Sequence, residues 1–367
     1  MMRGKGRFDY ILLIVVLALV GIGIVMVYST SAILAGDRFQ DPYYFLKRQA
    51  LYAGIGLGLM VVMMFFPYQA LNRLAYPLLG LSIAGLIAVL IPGIGVRAGG
   101  SMRWLRVLSF TFQPSEFAKL GLVIFLAYFL TKKEERIRSF SFGFLPTLLI
   151  SGLVIVLVLK EPDFGTAFFL TAMVFLFLFL GGARVIYIAG AILLAAPAAY
   201  YLMTSAAYRY KRLMSFIRPW DDPTGTSFQI IQSFLSFGSG GLFGMGLGEG
   251  KQKLFFLPAP HTDFIFSIIG EELGLAGAMV VVLLFFIFTL RGLQIGSGLG
   301  DRFASYLALG LTLMIALQAV LNMGVVLGLL PTKGLTLPFI SYGGTSLITS
   351  LVGVGILLRL SALAERR

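Results

Sequence analysis

The stretch Met279-Val280-Val281-Val282-Leu283-Leu284-Phe285-Phe286-Ile287-Phe288-Thr289-Leu290 decides the fold class. It carries no charge and no polar alternation, whereas a strand of a membrane β-barrel would alternate between a lipid face and a polar lumen. An unbroken run of this kind belongs to an apolar helix crossing a hydrocarbon core, which needs roughly 20 residues. Similar runs recur from one end of the chain to the other. Read against their Gly, Pro and charge punctuation, they predict ten spans, near 10–30, 49–66, 74–91, 115–131, 143–160, 164–182, 185–203, 266–290, 303–329 and 345–362. Across all 367 residues, 58% are hydrophobic and only 12% charged, with a mean hydropathy of +0.93. A soluble domain carries roughly 25% charged residues. The expected fold is therefore all-α: a polytopic integral membrane protein with about ten transmembrane helices, one unit over 1–367, and a long extracytoplasmic loop at 204–262 between helices seven and eight.

No cysteine is present, so thiolate nucleophiles, thiolate metal sites and disulfides are excluded and any catalysis uses oxygen or nitrogen. The first span follows Arg3, Lys5 and Arg7 as a signal peptide would, but it is long and lacks a small-residue cleavage site; it is read as retained. The net charge of +13, spread over membrane loops, suits anionic lipid head groups and not nucleic acid. An even number of spans puts both termini on one side. The loops on that side, with the termini, hold 14 Lys and Arg against 8 in the opposite short loops. The positive-inside rule then makes the termini cytoplasmic. In the 204–262 segment, Phe234, Leu235, Phe237, Leu242, Phe243, Phe255 and Phe256 argue for ordered amphipathic pieces at the membrane surface. No internal repeat supports an inverted-repeat transporter.

Ionisable residues near membrane depth are costly and tend to be functional. In the run His261-Thr262-Asp263-Phe264-Ile265-Phe266-Ser267 and on through Gly270-Glu271-Glu272-Leu273-Gly274, helical spacing places Asp263, Ser267, Glu271 and Gly274 on one face. Asp263 reads either as a helix cap or as a functional carboxylate. In Gln113-Pro114-Ser115-Glu116-Phe117-Ala118-Lys119, Glu116 and Lys119 stand three apart: a structural ion pair or part of a substrate site. Upstream, Gly99-Gly100-Ser101-Met102-Arg103-Trp104-Leu105-Arg106 adds cations. Arg48, Arg97, Arg103, Arg106 and Lys119 together suggest a phosphate pocket, although for any single one of them snorkelling to head groups is the default reading. Asp163, in Lys160-Glu161-Pro162-Asp163, reads as a cap or as a divalent-cation ligand. Ser341 and Tyr342, in the Pro-broken run Leu337-Pro338-Phe339-Ile340-Ser341-Tyr342-Gly343-Gly344, mark irregular backbone, which at membrane depth must be buried in protein or line a cavity.

These segments, with Pro162-Asp163-Phe164-Gly165-Thr166 and Ser239-Gly240-Gly241-Leu242-Phe243-Gly244, closely resemble the SEDS family of bacterial shape, elongation, division and sporulation proteins, in collinear order over residues 10–360. The short termini make the chain similar to the elongation branch, which serves rod shape. The resemblance implies a ten-helix peptidoglycan glycosyltransferase that polymerises lipid II on the outer face of the cytoplasmic membrane beside a class B penicillin-binding protein. It puts the family's essential aspartate on Asp263 and its fourth-helix Glu and Lys on Glu116 and Lys119. Two departures stand out: Glu161, where Gln commonly precedes Pro-Asp, and Ala259, near where an acidic residue is common.

The chemistry agrees with the residues. A glycosidase needs one carboxyl as an acid because an alkoxide leaves badly, but undecaprenyl pyrophosphate leaves without a proton. One base, Asp263, to take the acceptor proton, and cations to receive the diphosphate, are then sufficient. Substrate binding is expected at Arg48, Arg97, Arg103, Arg106, Glu116, Lys119, Ser341 and Tyr342. A divalent cation (Mg or Mn), its site unlocated, would assist. A lipid II flippase or a non-catalytic scaffold of the elongation complex are the alternatives, separable by whether polar substitutions abolish polymerisation.

Overall fold

The computed structural model describes residues 8–98, 101–107, 110–205, 207–225, 227–253, 260–331 and 334–364. Its helices are α1 (Tyr10–Phe39), α2 (Tyr44–Phe65), α3 (Tyr68–Arg73), α4 (Ala75–Leu90), α5 (Pro114–Lys132), α6 (Leu145–Lys160), α7 (Phe164–Leu180), α8 (Val185–Thr204), α9 (Ala207–Ile217), α10 (Phe228–Gly240), α11 (Ile265–Ser297), α12 (Arg302–Val326) and α13 (Gly344–Ser361). Ten of these, all but α3, α9 and α10, fall on the ten expected spans. Seven are long and apolar enough to cross a membrane, and α4, α7 and the first part of α8 are shorter apolar helices.

A three-stranded antiparallel sheet, which the hydropathy pattern did not reveal, links α4 to α5: β1 (Gly95–Ala98), β2 (Ser101–Val107) and β3 (Phe110–Phe112), in the order β1-β2-β3. Its strands are too short and too cationic to register as apolar runs. Within 204–262, the expected amphipathic pieces are α9 and α10. α10 docks into the bundle instead of lying flat. Ser233 donates to the Val326 carbonyl at 2.7 Å, and a Cβ on Gly240 would sit 2.0 Å from the Gly270 carbonyl oxygen.

Both ends of the chain meet at one end of the bundle. Asp9 caps α1 by accepting from the Leu12 amide and also receives Arg291 from the far end of α11, while its own amide donates to Ser361 at the end of α13. With ten antiparallel crossings, the starts of α2, α5, α7, α11 and α13 gather at the opposite end, beside the sheet.

α11 is the longest element, and as a straight rod its 33 residues would reach about 50 Å, well beyond a hydrocarbon core of about 30 Å. It is broken at Gly274 (φ 68°, ψ −169°). The carbonyls freed there are satisfied by the 241–246 strap: Met245 and Gly246 amides donate to Glu271 and Glu272 carbonyls at 3.0 and 3.1 Å, and Leu275 and Ala276 amides return bonds to Gly241 and Leu242. A Cβ on Gly274 would stand 2.3 Å from the Gly244 amide nitrogen.

Gly274→Ala is therefore expected to cost at least about 2 kcal/mol through left-handed strain and the strap clash, seen as a lowered melting temperature in detergent. Gly54→Ala, at an open helical position, should be neutral or stabilising by up to about 1 kcal/mol.

Candidate functional site

At the end of the bundle where α5, α7, α11 and α13 begin, two irregular segments, 261–264 and 334–343, lie against each other. Their backbone groups are held by side chains from the helices. Asn322 of α12 donates to the Asp263 and Leu335 carbonyls at 2.8 and 2.7 Å. Ser341 donates to the Thr262 carbonyl at 2.7 Å and accepts from the Leu337 amide at 2.8 Å. The Tyr342 amide donates to the His261 carbonyl at 2.9 Å, and Gln49 of α2 donates to the Ser341 carbonyl at 3.3 Å. The His261 ring packs against Phe45 and Tyr342, with centroids 4.4 and 5.6 Å away; burial lowers its pKa from 6.5 to about 4, so it is neutral.

Asp263 is fixed by these bonds on its main chain while its carboxylate stays available. It does not cap α11, whose N-cap position is Phe264; the capping reading fails. The side chain is partly exposed but densely surrounded by protein. Burial pushes its pKa up from 3.8 to about 6, the Asp163 charge pushes the same way, and Arg103 and Arg212 oppose them. Desolvation wins, and the carboxylate is a stronger base than a solvated one while still ionised at neutral pH. A Cβ on Gly334 would come within 3.1 Å of Asp263 Oδ2, so the 334–343 segment passes directly over the carboxylate.

Opposite stands the α6–α7 turn. Asp163 caps α7, accepting from the Thr166 amide and hydroxyl at 3.0 Å each. Arg103 reaches across from β2, donating to the Glu161 carbonyl (3.2 Å) and the Pro162 carbonyl (2.5 Å), with Asp163 Oδ2 at 3.9 Å. Glu161 is 0% exposed and neither of its carboxyl oxygens has a partner among the described residues. Burial, with Asp163 adding and Arg103 subtracting, raises its pKa from 4.5 to about 8; at neutral pH it is a protonated acid, close in shape and hydrogen-bonding capacity to the Gln that its position commonly holds. On α9, the Arg209 guanidinium lies 4.3 Å over the Phe164 ring, the residue after Asp163. Sequence reading passed over Arg209 and Arg212; the absence of any acid between residues 204 and 220 was the available signal.

The remaining expected residues do not converge on Asp263 as one pocket. Lys119 is 2% exposed, bonded to Glu116 Oε1 at 2.7 Å and Gln318 Oε1 at 2.9 Å, with its ammonium 5.1 Å from the Phe169 ring centre. Gln318 continues to Thr336, and Thr336 to Ser346 at 3.0 Å. This chain of polar groups, buried at Lys119 and half-buried at Thr336, connects α5, α12 and the 334–343 segment, so Glu116–Lys119 is an ion pair that also supports the segment over Asp263. Arg48 packs over Tyr44 at 4.6 Å and faces the Tyr342 hydroxyl. Arg106 is exposed on β2. The Arg97 side chain, Gly99, Gly100, Ala259 and Lys333 lie outside the described residues. Glu271 accepts from the Lys251 amide at 2.7 Å, and Glu272 binds Lys253 at 2.7 Å and Ser29 at 2.6 Å; the two glutamates hold the 251–253 segment to α11, and Glu272 ties it to α1 as well. Next to Thr345, a cavity of about 370 Å³ opens between α2, β3, α5 and α13, lined by Tyr52, Ile55, Leu59, Phe112, Phe117 and Val352. Among the described residues, no group of three or more His, Asp or Glu side chains is close enough to cage a metal by itself.

The FtsW/RodA/SpoVE family model, described as cell cycle protein, matches residues 10–366. A protein of Trichlorobacter lovleyi named probable peptidoglycan glycosyltransferase FtsW is 50% identical over 97% of this chain and 93% of its own length. Stage V sporulation protein E of Bacillus subtilis is 44% identical over 96% of both. Among solved structures, a chain from "Structural coordination of polymerization and crosslinking by a peptidoglycan synthase complex" superposes with a TM-score of 0.80 at 32% identity, covering 96% of this chain and 97% of that one. The rod shape determining protein RodA of Thermus thermophilus gives 0.72 at 29% identity, over 98% of each. The short termini, taken as a sign of the elongation branch, do not discriminate: proteins named FtsW from Geobacter species are matched over 95–98% of their own length.

Because Glu161 holds its proton in the folded chain up to about pH 8 while an unfolded carboxyl releases it near 4.5, stability is lost as pH rises between these values. Glu161→Gln should melt higher than the unaltered chain at pH 7, by the order of 3 kcal/mol, and the gain should vanish towards pH 4.5. Thermal melting in detergent across this range measures it.

Proposed function

The chain belongs to the FtsW/RodA/SpoVE family of cell cycle proteins, and we propose on that footing that it is a peptidoglycan glycosyltransferase that polymerises lipid II, with Asp263 as the general base. The observation that carries this is the Asp263 carboxylate itself: main chain clamped, side chain desolvated yet ionised at neutral pH, and faced by Arg103. A base poised near the working pH is what deprotonation of a sugar hydroxyl requires. The diphosphate of the departing lipid needs positive charge and no acid. Protonated Glu161 and the α7 cap Asp163 shape the opposite wall.

Asp163 lies close enough to Asp263 for its charge to push the Asp263 pKa up. Two carboxylates completed by substrate oxygens suit Mg²⁺, which seldom uses an all-protein cage; these two residues would hold it. Bound there, such an ion supplies Lewis-acid stabilisation of the diphosphate. The apolar cavity beside Thr345 suits the lipid tail, with the sugars at the Asp263 end.

The Lys and Arg bias supports placing the termini in the cytoplasm and Asp263 on the extracytoplasmic side of the bacterial cytoplasmic membrane, in a single transmembrane unit over 1–367. Relatives named FtsW at 46–50% identity favour a role in division over elongation. The likeness to a synthase complex of polymerisation and crosslinking supports a class B penicillin-binding protein as partner.

The purified full chain, with that partner, is expected to convert labelled lipid II into glycan strands in detergent, where flipping has no meaning. Asp263→Asn should lower the rate at least about 100-fold with the fold intact. The unaltered chain's rate should fall off below about pH 6 as Asp263 gains its proton. No strands from the unaltered chain would sink the reading in favour of a flippase. Lys119→Met should impair turnover through the 334–343 segment while the protein still inserts, an effect read from rate and melting together.

A further inference from the structure

If a lipid diphosphate leaves at Asp263, positive charge must receive it. Of the cations singled out from the sequence, Arg103 reaches Asp163; Lys119 is buried in its own ion pair, Arg48 packs over Tyr44 beside Tyr342, and Arg106 is exposed on β2. Arg103 is engaged with the α6–α7 turn and Asp163. What the fold brings to the same place is α9. It carries Arg209, Lys211 and Arg212, the latter two exposed and Arg209 half-buried, while Ser215 is buried and Leu213 and Met214 are half-buried. Arg209 and Arg212 stand three residues apart, one above the other on a helix. The first is seated on Phe164, the residue after Asp163; the second, one turn on, is near enough for its charge to oppose the upward shift of Asp263.

We propose that Arg209 and Arg212 of α9 are the seat of the diphosphate group of a polyprenyl-diphosphate-linked substrate. Three arginines, Arg103, Arg209 and Arg212, surround two carboxylates, Asp163 and Asp263, and leave one net positive charge before any ligand arrives. Guanidinium groups bind phosphate oxygens in pairs by charge-assisted hydrogen bonds. The amphipathic helix carrying them packs its Arg209 guanidinium over Phe164, at the start of α7 and next to Asp163 in the chain. Anionic bilayer head groups offer the same phosphate chemistry, and the experiment separates the two. The assignment rests on the polymerase reading for the orientation of substrate at Asp263, but binding can be measured without turnover.

The test is binding of undecaprenyl diphosphate to the full chain in neutral detergent, beside association with phosphatidylglycerol vesicles. Arg209→Gln and Arg212→Gln should each weaken diphosphate binding about tenfold, the double variant about 100-fold, with melting temperatures unchanged. Arg212→Lys should recover part of the loss, since it keeps the charge and loses the fork, and serves if the Gln variants fold poorly. Asp263→Asn should bind as tightly as the unaltered chain or more tightly. A double variant within twofold of the unaltered chain overturns the proposal. So does a variant that loses only vesicle association, which would assign α9 to bilayer head groups. Arginine-dependent diphosphate binding by a chain that makes no glycan would leave the proposal standing and sink the polymerase reading.

Discussion

The site depends on satisfying irregular backbone close to a membrane. Neither 261–264 nor 334–343 is helical throughout, so their amides and carbonyls need partners that lipid cannot supply. Asn322 and Gln318 from α12, Gln49 from α2 and Ser341 from within the second segment provide them. These bonds take up the main chain around Asp263 and leave its carboxylate out of the scaffold. Replacing Asn322 by an apolar residue would free two buried carbonyls at once, each costing about 1–3 kcal/mol. The same logic explains a buried lysine in α5: Lys119 is tolerable because Glu116, Gln318 and the Phe169 ring enclose its charge.

Much of the architecture was legible as hydropathy. All ten apolar helices fall where uncharged runs and their punctuation placed them, since a bilayer leaves the chain few alternatives. What stayed hidden was short or cooperative. The β1–β3 sheet has no apolar signature, and α3 occupies six residues. The break in α11 was invisible because Leu273-Gly274-Leu275 reads as continuous helix; it exists only because the 241–246 strap meets the carbonyls it frees.

At the site, the ends of the argument were readable and the middle was not. Asp263 stood out as a carboxylate at a span boundary, Asp163 caps its helix as its position implied, and Glu116–Lys119 form the pair that their spacing suggested. Of the expected cations the structure brings Arg103 to Asp163 and ties Lys119 elsewhere, because sequence proximity to a span end does not tell which way a side chain turns. Lys119 turns into protein and Arg48 lies exposed over Tyr44, while Arg209, inside a long loop, packs on the residue after Asp163. The direction of the Asp263 shift also needed three dimensions: burial and two cations act in opposition, and only their arrangement decides between them.

The division of α11 at Gly274 separates two mechanical roles. Its lower limb, residues 275–297, is about 34 Å long and matches the oily layer by itself. Its upper limb belongs to the strap and to Asp263. Changes in lipid chain length act on a spanning helix by tilting or stretching it, and here they meet the 275–297 limb, on the far side of the Gly274 break from Asp263.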